Sequence, residues 1–201
     1  MQSMQIATNW VPGALAPRLE DFMWIAPRSL EDVFGEDVVT HFPVCMALFL
    51  GPTVTSTRIQ MDLHNHLYQS VLEASSDQLH PRLRKLHIEI HDLLDEDLPE
   101  NEILPFIHDH VTCANSPSLA ELRVSGMYVA PCLTSTTIRH LGTLPRLAVL
   151  DLDDFEDLPF LCLPAGADIG GAFPSLQNVK LSSTSLSGIT HFLEHFPPLA
   201  G

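Results

Sequence analysis

Basic residues are scarce in this chain. Lys and Arg number 10 against 25 Asp and Glu, a formal net charge of −15. A surface so acidic repels phosphate backbones, which excludes general nucleic-acid binding. Long apolar runs are missing as well: none reaches the ~20 residues that span a bilayer, so no membrane span is expected. The N-terminal MQSMQIATNWVPGALAPRLED has no basic start followed by an apolar stretch, and no secretory signal is expected. Cys45, Cys113, Cys132 and Cys162 lie far apart and form no C-x-x-C pair. That spacing disfavours a zinc knuckle or redox motif and fits reduced thiols. An intracellular protein, cytoplasmic or nuclear, is the expectation.

Catalytic signatures are absent too. There is no G-x-S-x-G, G-x-x-x-x-G-K-[ST] or G-x-G-x-x-G. GADIGG at 166–171 has glycines but neither a preceding phosphate-loop strand nor a Lys. Cys113 near His108 and His110 is a weak thiol-catalyst pattern that arises readily by chance.

What the chain does have is a repeat. PRLRKLHIEI at 81–90 returns as PSLAELRVSG at 117–126, PRLAVLDLDD at 145–154 and PSLQNVKLSS at 174–183. Each begins Pro, then Arg or Ser, then Leu, and continues apolar-x-x-apolar-x-apolar. PRLEDFMWI at 17–25 fits the frame, and TVTSTRIQM at 53–61 fits it more weakly. The leading apolar residues fall at 19, 54, 83, 119, 147 and 176. Side chains alternate along a strand. Leu83, Leu86 and Ile88 therefore share one side only if the chain bends at the first Leu and runs extended after it. One such strand cannot bury its apolar side alone, so equivalent strands must stack into a parallel sheet. Strands are predicted near 19–25, 54–61, 83–90, 119–125, 147–153 and 176–182. They make a single domain over 17–201, behind an N-terminal extension at 1–16.

Return segments between strands read as helical. Leu67, Val71, Leu72 and Leu79 recur near a 3.6-residue period in 66–79. The segments 100–111 (interrupted by Pro105), 134–144 and 186–196 are similar. A helix over 36–50, broken near Pro43, is expected, with a strand over 44–49 as the alternative. The Pro- and Gly-containing 155–173 is predicted to be a loop.

The HPRLRKLHIEI, SPSLAELRVSG, LPRLAVLDLDD and FPSLQNVKLSS units resemble leucine-rich repeats. More narrowly, they resemble the irregular repeat region of fungal F-box/leucine-rich-repeat proteins. The resemblance implies an α/β fold: a right-handed leucine-rich-repeat-like solenoid, or horseshoe. One parallel sheet would line its concave side and short helices its convex side. It also implies a substrate-binding role in a ubiquitin ligase. No F-box is visible before Pro17, so ubiquitin-ligase subunits would be partners only if an F-box lies outside this chain. The chain would then be a repeat fragment or truncated product, with uncapped core leucines that favour association or marginal stability. The usual repeat carries Asn three residues after the last strand apolar. Here His91, Met127, Phe155 and Thr184 stand there instead, so the turns must close differently.

The register then assigns three outward rows. The middle row is Met23, Arg58, His87, Arg123, Asp151 and Lys180. One flanking row is Asp21, Ser56, Lys85, Glu121, Val149 and Asn178; the other is Ile25, Gln60, Glu89, Ser125, Asp153 and Ser182. Arg58, Lys85, His87 and Arg123 form a local basic patch, followed by Asp151 and Asp153. Such a patch suits an acidic or phosphorylated protein segment. The plainer alternative is a solvated face whose neighbours pair across strands, such as Lys85 with Glu121. The expected protein-binding residues are Arg58, Lys85, His87, Glu89, Arg123, Asp151 and Lys180.

A metal-dependent enzyme using the His and Asp clusters is the most distant reading. His87-x-Glu89-x-His91 sets three ligand types on one strand side, and His64-x-His66 and His108-x-His110 are similar pairs. Alternate strand residues lie ~6.5–7 Å apart, whereas zinc ligands converge from separate elements. The acidic DLDDFED at 151–157 reads as outward strand positions rather than a metal–nucleotide motif, and EDLPENE at 96–102 as a solvated loop. No catalytic residue, metal or cofactor is expected, and the partner is expected to be another protein.

Overall fold

In the computed structural model, the residues described are 11–25, 48–62, 81–91, 111, 116–126, 135–154 and 173–182. Six strands form one sheet: β1 (Asp21–Ile25), β2 (Ser56–Asp62), β3 (Lys85–His91), β4 (Glu121–Gly126), β5 (Val149–Asp154) and β6 (Asn178–Ser182). Helix α1 (Ser135–Gly142) lies between β4 and β5. The strands stand side by side in chain order, and every adjacent pair is parallel. The chain is therefore α/β, with one parallel six-stranded sheet.

Each strand begins two residues after the leading apolar residue, and the turns explain why. Pro17, Pro52, Pro117 and Pro174 occupy the second position of tight turns. These close through Leu19 N to Ala16 O, Val54 N to Gly51 O, Leu119 N to Ser116 O and Leu176 N to Phe173 O, at 3.0–3.2 Å. Proline's fixed φ suits that position, and the turn needs no amide from it. The leading apolar residue is the last of the turn rather than the first of the strand.

A second device repeats through the whole sheet. The carbonyl of the next residue accepts two successive amides from the following repeat. Glu20 O takes Thr55 N and Ser56 N, Thr55 O takes Arg84 N and Lys85 N, and Arg84 O takes Ala120 N and Glu121 N. Ala120 O takes Ala148 N and Val149 N, and Ala148 O takes Gln177 N and Asn178 N, all at 2.7–3.1 Å. Two amides sharing one acceptor act as a bulge and shift the alternation by one. That is how Leu83 and Leu86, three apart, reach the same side. Neighbouring turns are tied further by Thr53 Oγ1, which donates to Leu19 O (2.9 Å), and by Ser175 Oγ, which donates to Pro145 O (2.7 Å).

The core lies on the side these bends select. Leu83, Leu86 and Ile88, then Leu119, Leu122 and Val124, then Leu147, Leu150 and Leu152 are all buried. Each such side chain contributes roughly 1.5–3 kcal/mol by leaving water. Val54 and Ile59 continue the layer on β2, with Thr57 buried at the remaining position. At the two ends it thins: Phe22 and Trp24 on β1, and Val179 and Leu181 on β6, are half-buried. Leu141 of α1 and Leu144 beyond it are also buried, and the end of α1 is held by Phe173 N donating to Gly142 O at 2.8 Å. His140 Nε2 lies 2.5 Å from Val111 O, joining α1 to the preceding connection.

Before β1 and β2 the backbones nearly touch. Gly13 has φ +72°, and a Cβ there would sit 2.5 Å from Gly51 Cα. Only glycine suits both the conformation and the gap. Leu15 N donates to Leu48 O nearby.

The predicted 134–144 helix is seen as Ser135–Gly142. Of the 36–50 segment only the end is described, and Leu48 and Phe49 there are helical, not extended. The helices over 66–79 and 186–196, nearly all of 100–111, and the 155–173 loop apart from Phe173 lie outside the described residues.

Candidate functional site

The bends that send leucines inward send the alternate residues outward, and parallel pairing aligns those residues in rows. Met23 pairs with Arg58, Arg58 with His87, His87 with Arg123, Arg123 with Asp151, and Asp151 with Lys180. Lys85 is set beside Ser56 and Glu121, and Glu89 beside Gln60 and Ser125. All seven expected binding residues thus belong to one continuous face.

The electrostatics of that face are not those of a bare basic patch. Arg58 pairs with Glu89, reaching diagonally across to the next strand. Arg123 Nε donates to Glu121 Oε1 at 2.5 Å, and its Nη1 lies 3.6 Å from Asp151 Oδ2. Lys180 Nζ donates to Asp153 Oδ2 at 3.0 Å and sits 3.5 Å from Asp151 Oδ1. Lys85 Nζ is 3.7 Å from Glu121 Oε2, the cross-strand pair anticipated from register. Alternating cations and carboxylates therefore run from β2 to β6.

Glu121 is the hub that the expected set omits. Lys85, His87 and Arg123 all converge on it, with His87 Nε2 at 3.2 Å from Oε1. Its side chain is only 14 % exposed. Burial pushes its pKa up, but the hydrogen bonds from His87 and Arg123 and their charges outweigh this and hold it below the ordinary 4.5. Its flanking-row position beside Lys85 was the available signal; its reach to two further cations depends on side-chain conformation. At Lys180, the hydrogen bond to Asp153 and the charge of Asp151 raise the amine above 10.5.

A depression of about 250 Å³ opens in the middle of the face. Arg58, His87, Glu89, Arg123, Asp151 and Asp153 line it, with Ile88 and Ser125 completing the wall. Asp151 Oδ1 is shielded from solvent and accepts no hydrogen bond there. Lys180 Nζ stands 3.5 Å from that oxygen as its ion-pair partner.

Among the described residues no three His, Cys, Asp or Glu side chains are grouped to hold a metal ion, and no helix is long and apolar enough to cross a membrane. His64, His66, His108, His110, Cys113, Met127, Phe155, Thr184 and GADIGG lie outside them, and of His91 only the backbone, at the end of β3, is described. Comparison with family models, curated proteins and solved structures finds no match to this chain.

Proposed function

We propose that the chain is a non-catalytic protein-recognition module, a leucine-rich-repeat-like solenoid that binds its partner on the exposed face of the sheet. The observation carrying this reading is the alignment of outward charged residues from successive repeats around one depression. Repeats that share an inward pattern but differ outward give a stable frame with an independently variable surface. Complementary charge on such a surface fixes register and selects partners more than it adds affinity. By resemblance to F-box/leucine-rich-repeat proteins, the partner would be a ubiquitin-ligase substrate, with the F-box supplied outside this chain.

A second reading has support in the same geometry. The cations of the face each meet a carboxylate, as a surface that serves only folding would arrange them. The chain would then be a repeat remnant with no activity of its own. Partner capture separates the two. Replacing Arg58, His87 and Arg123 together with Glu is expected to abolish capture of the partner held by the wild-type chain. Unchanged capture by a folded variant would refute recognition through this face.

A further inference from the structure

The two edges of the sheet differ. β6 carries Lys180 at the centre of its outward row, and a lysine on an edge discourages another strand from adding. β1 has no such guard. Its Met23 and Ile25 point outward and are 57 % and 54 % exposed. On the inward side Phe22 and Trp24 are half-buried, where Leu86, Ile88, Leu122 and Val124 of the central strands are sealed. An edge strand that is apolar on both sides is a template for further pairing.

The outer peptide groups of β1 are set for that pairing. Ser56 N is held by Glu20 O of the preceding repeat, and the counterpart of Ser56 on β1 is Asp21. The peptide groups of Asp21, Met23 and Ile25 therefore point away from β2. β1 is the first strand of the sheet, and no described strand stands on that side.

We propose that β1 pairs antiparallel with β1 of a second copy of this chain, about a two-fold axis at Met23. A two-fold contact requires a self-complementary surface, and DFMWI supplies one. Met23 faces Met23, Asp21 faces Ile25, and Phe22 faces Trp24 on the inward side. Aromatic pairs across strands contribute roughly 0.2–1 kcal/mol each. The two Asp21 carboxylates fall at opposite ends of the pairing, so no like charges meet.

The other edge pairings carry a charge cost. β6 paired with itself in the same way sets Lys180 against Lys180. A head-to-tail contact of β6 on β1 sets Lys180 beside Met23 and covers an amine whose side chain is now mostly exposed. Five residues make a small interface, under the about 1,200 Å² of lasting complexes, so the dimer depends on concentration. Each copy carries a net charge of −15, so salt that screens this repulsion strengthens the pairing. The pairing does not depend on the recognition reading above.

Sedimentation equilibrium of the intact chain tests it, in a concentration series up to about 1 mM, where even a weak site fills. The series is run at low and high salt, with circular dichroism reporting the fold. A monomer–dimer equilibrium that salt shifts toward dimer is expected. Met23→Lys sets two ammonium groups at the axis and should weaken the dimer at least about tenfold. Cross-linking reads the register in a chain whose four native cysteines are replaced by Ser, and it decides the matter where Met23→Lys does not fold. Across the axis the Cα atoms of residue 23 stand about 5.5 Å apart, within disulfide reach, and those of residue 25 about 14 Å apart. Met23→Cys should oxidise to a covalent dimer and Ile25→Cys should not. A chain monomeric throughout the series would overturn the pairing. So would a dimer indifferent to a folded Met23→Lys, or bridging at 25 as readily as at 23. Growth beyond the dimer would overturn it in favour of the head-to-tail contact. None of these outcomes touches partner capture through Arg58, His87 and Arg123.

Discussion

Strand β4 and strand β1 share one sequence frame and have different surroundings. On β4, Leu122 and Val124 are sealed inside, and Glu121 and Arg123 belong to the ionic lattice of the outer face. On β1, Phe22 and Trp24 occupy the equivalent inward positions half-buried, while Met23 and Ile25 stand exposed where charged residues stand elsewhere. The frame decides which way each side chain points. Place in the stack decides how much that direction contributes. Burial needs a neighbour on both flanks, so centre and edge differ in energy though not in geometry.

Five substitutions probe that difference: a central leucine with its edge counterpart, then three more in decreasing size of effect. Leu152→Ala, at a fully buried position on β5, should cost about 2–5 kcal/mol in urea denaturation, because it leaves a cavity the sheet cannot collapse. Leu181→Ala, at the equivalent position on β6, should cost about 1 kcal/mol, in proportion to its smaller buried area. Equal costs would mean that centre and edge are not distinct.

Gly13→Ala should cost at least about 1–2 kcal/mol from the left-handed backbone alone, besides the clash with Gly51. The damage should be local. Hydrogen exchange should quicken at Leu15 and Val54, whose amides bond across this junction and its turn, and not at Ala120 or Ala148.

Glu121→Gln should cost about 1 kcal/mol near neutral pH, since the carboxylate is largely shielded but its partners Lys85 and Arg123 are about half exposed. Its pH dependence is diagnostic. The folded-state pKa is lowered, so the carboxylate's contribution is present above the ordinary 4.5 and is lost as pH falls through the folded value. The stability gap between wild type and variant should close under acid.

Lys180→Met should have the smallest effect, since the side chain is mostly exposed and its pairs are screened by salt. Its raised pKa means that any contribution is complete below 10.5 and fades as pH rises through the folded value. A thermal-melt difference from wild type that persisted in high salt would show that the lysine does more than pair with Asp151 and Asp153.

Much of this was legible in the sequence because the repeat is simple. Pro-x-Leu announces the turn, and apolar-x-apolar announces a strand with one dry side. Alignment of the copies placed Arg58, His87, Arg123 and Asp151 in one row. What stayed hidden depends on side-chain reach and on neighbours. Arg58 takes the diagonal Glu89, and Arg123 takes Glu121 two residues back on its own strand. Neither choice is dictated by spacing. The Gly13–Gly51 contact joins residues outside the repeated motif, so no periodicity marks it. The half-burial of Phe22 and Leu181 follows from standing at the ends of a stack, which a local pattern of apolar residues does not encode.

The central claim is that successive repeats stack in register, so their outward positions become one surface. Cysteine cross-linking tests it most directly, in a chain whose four native cysteines are replaced by Ser. Adjacent in-register strands place Cα atoms about 5 Å apart, within disulfide reach, whereas residues two strands apart stand near 10 Å and beyond it. Under mild oxidation His87→Cys with Arg123→Cys should close to a disulfide, and His87→Cys with Asp151→Cys should remain as free thiols. A bridge between 87 and 151, or none between 87 and 123, would contradict the stacking and the recognition surface built on it.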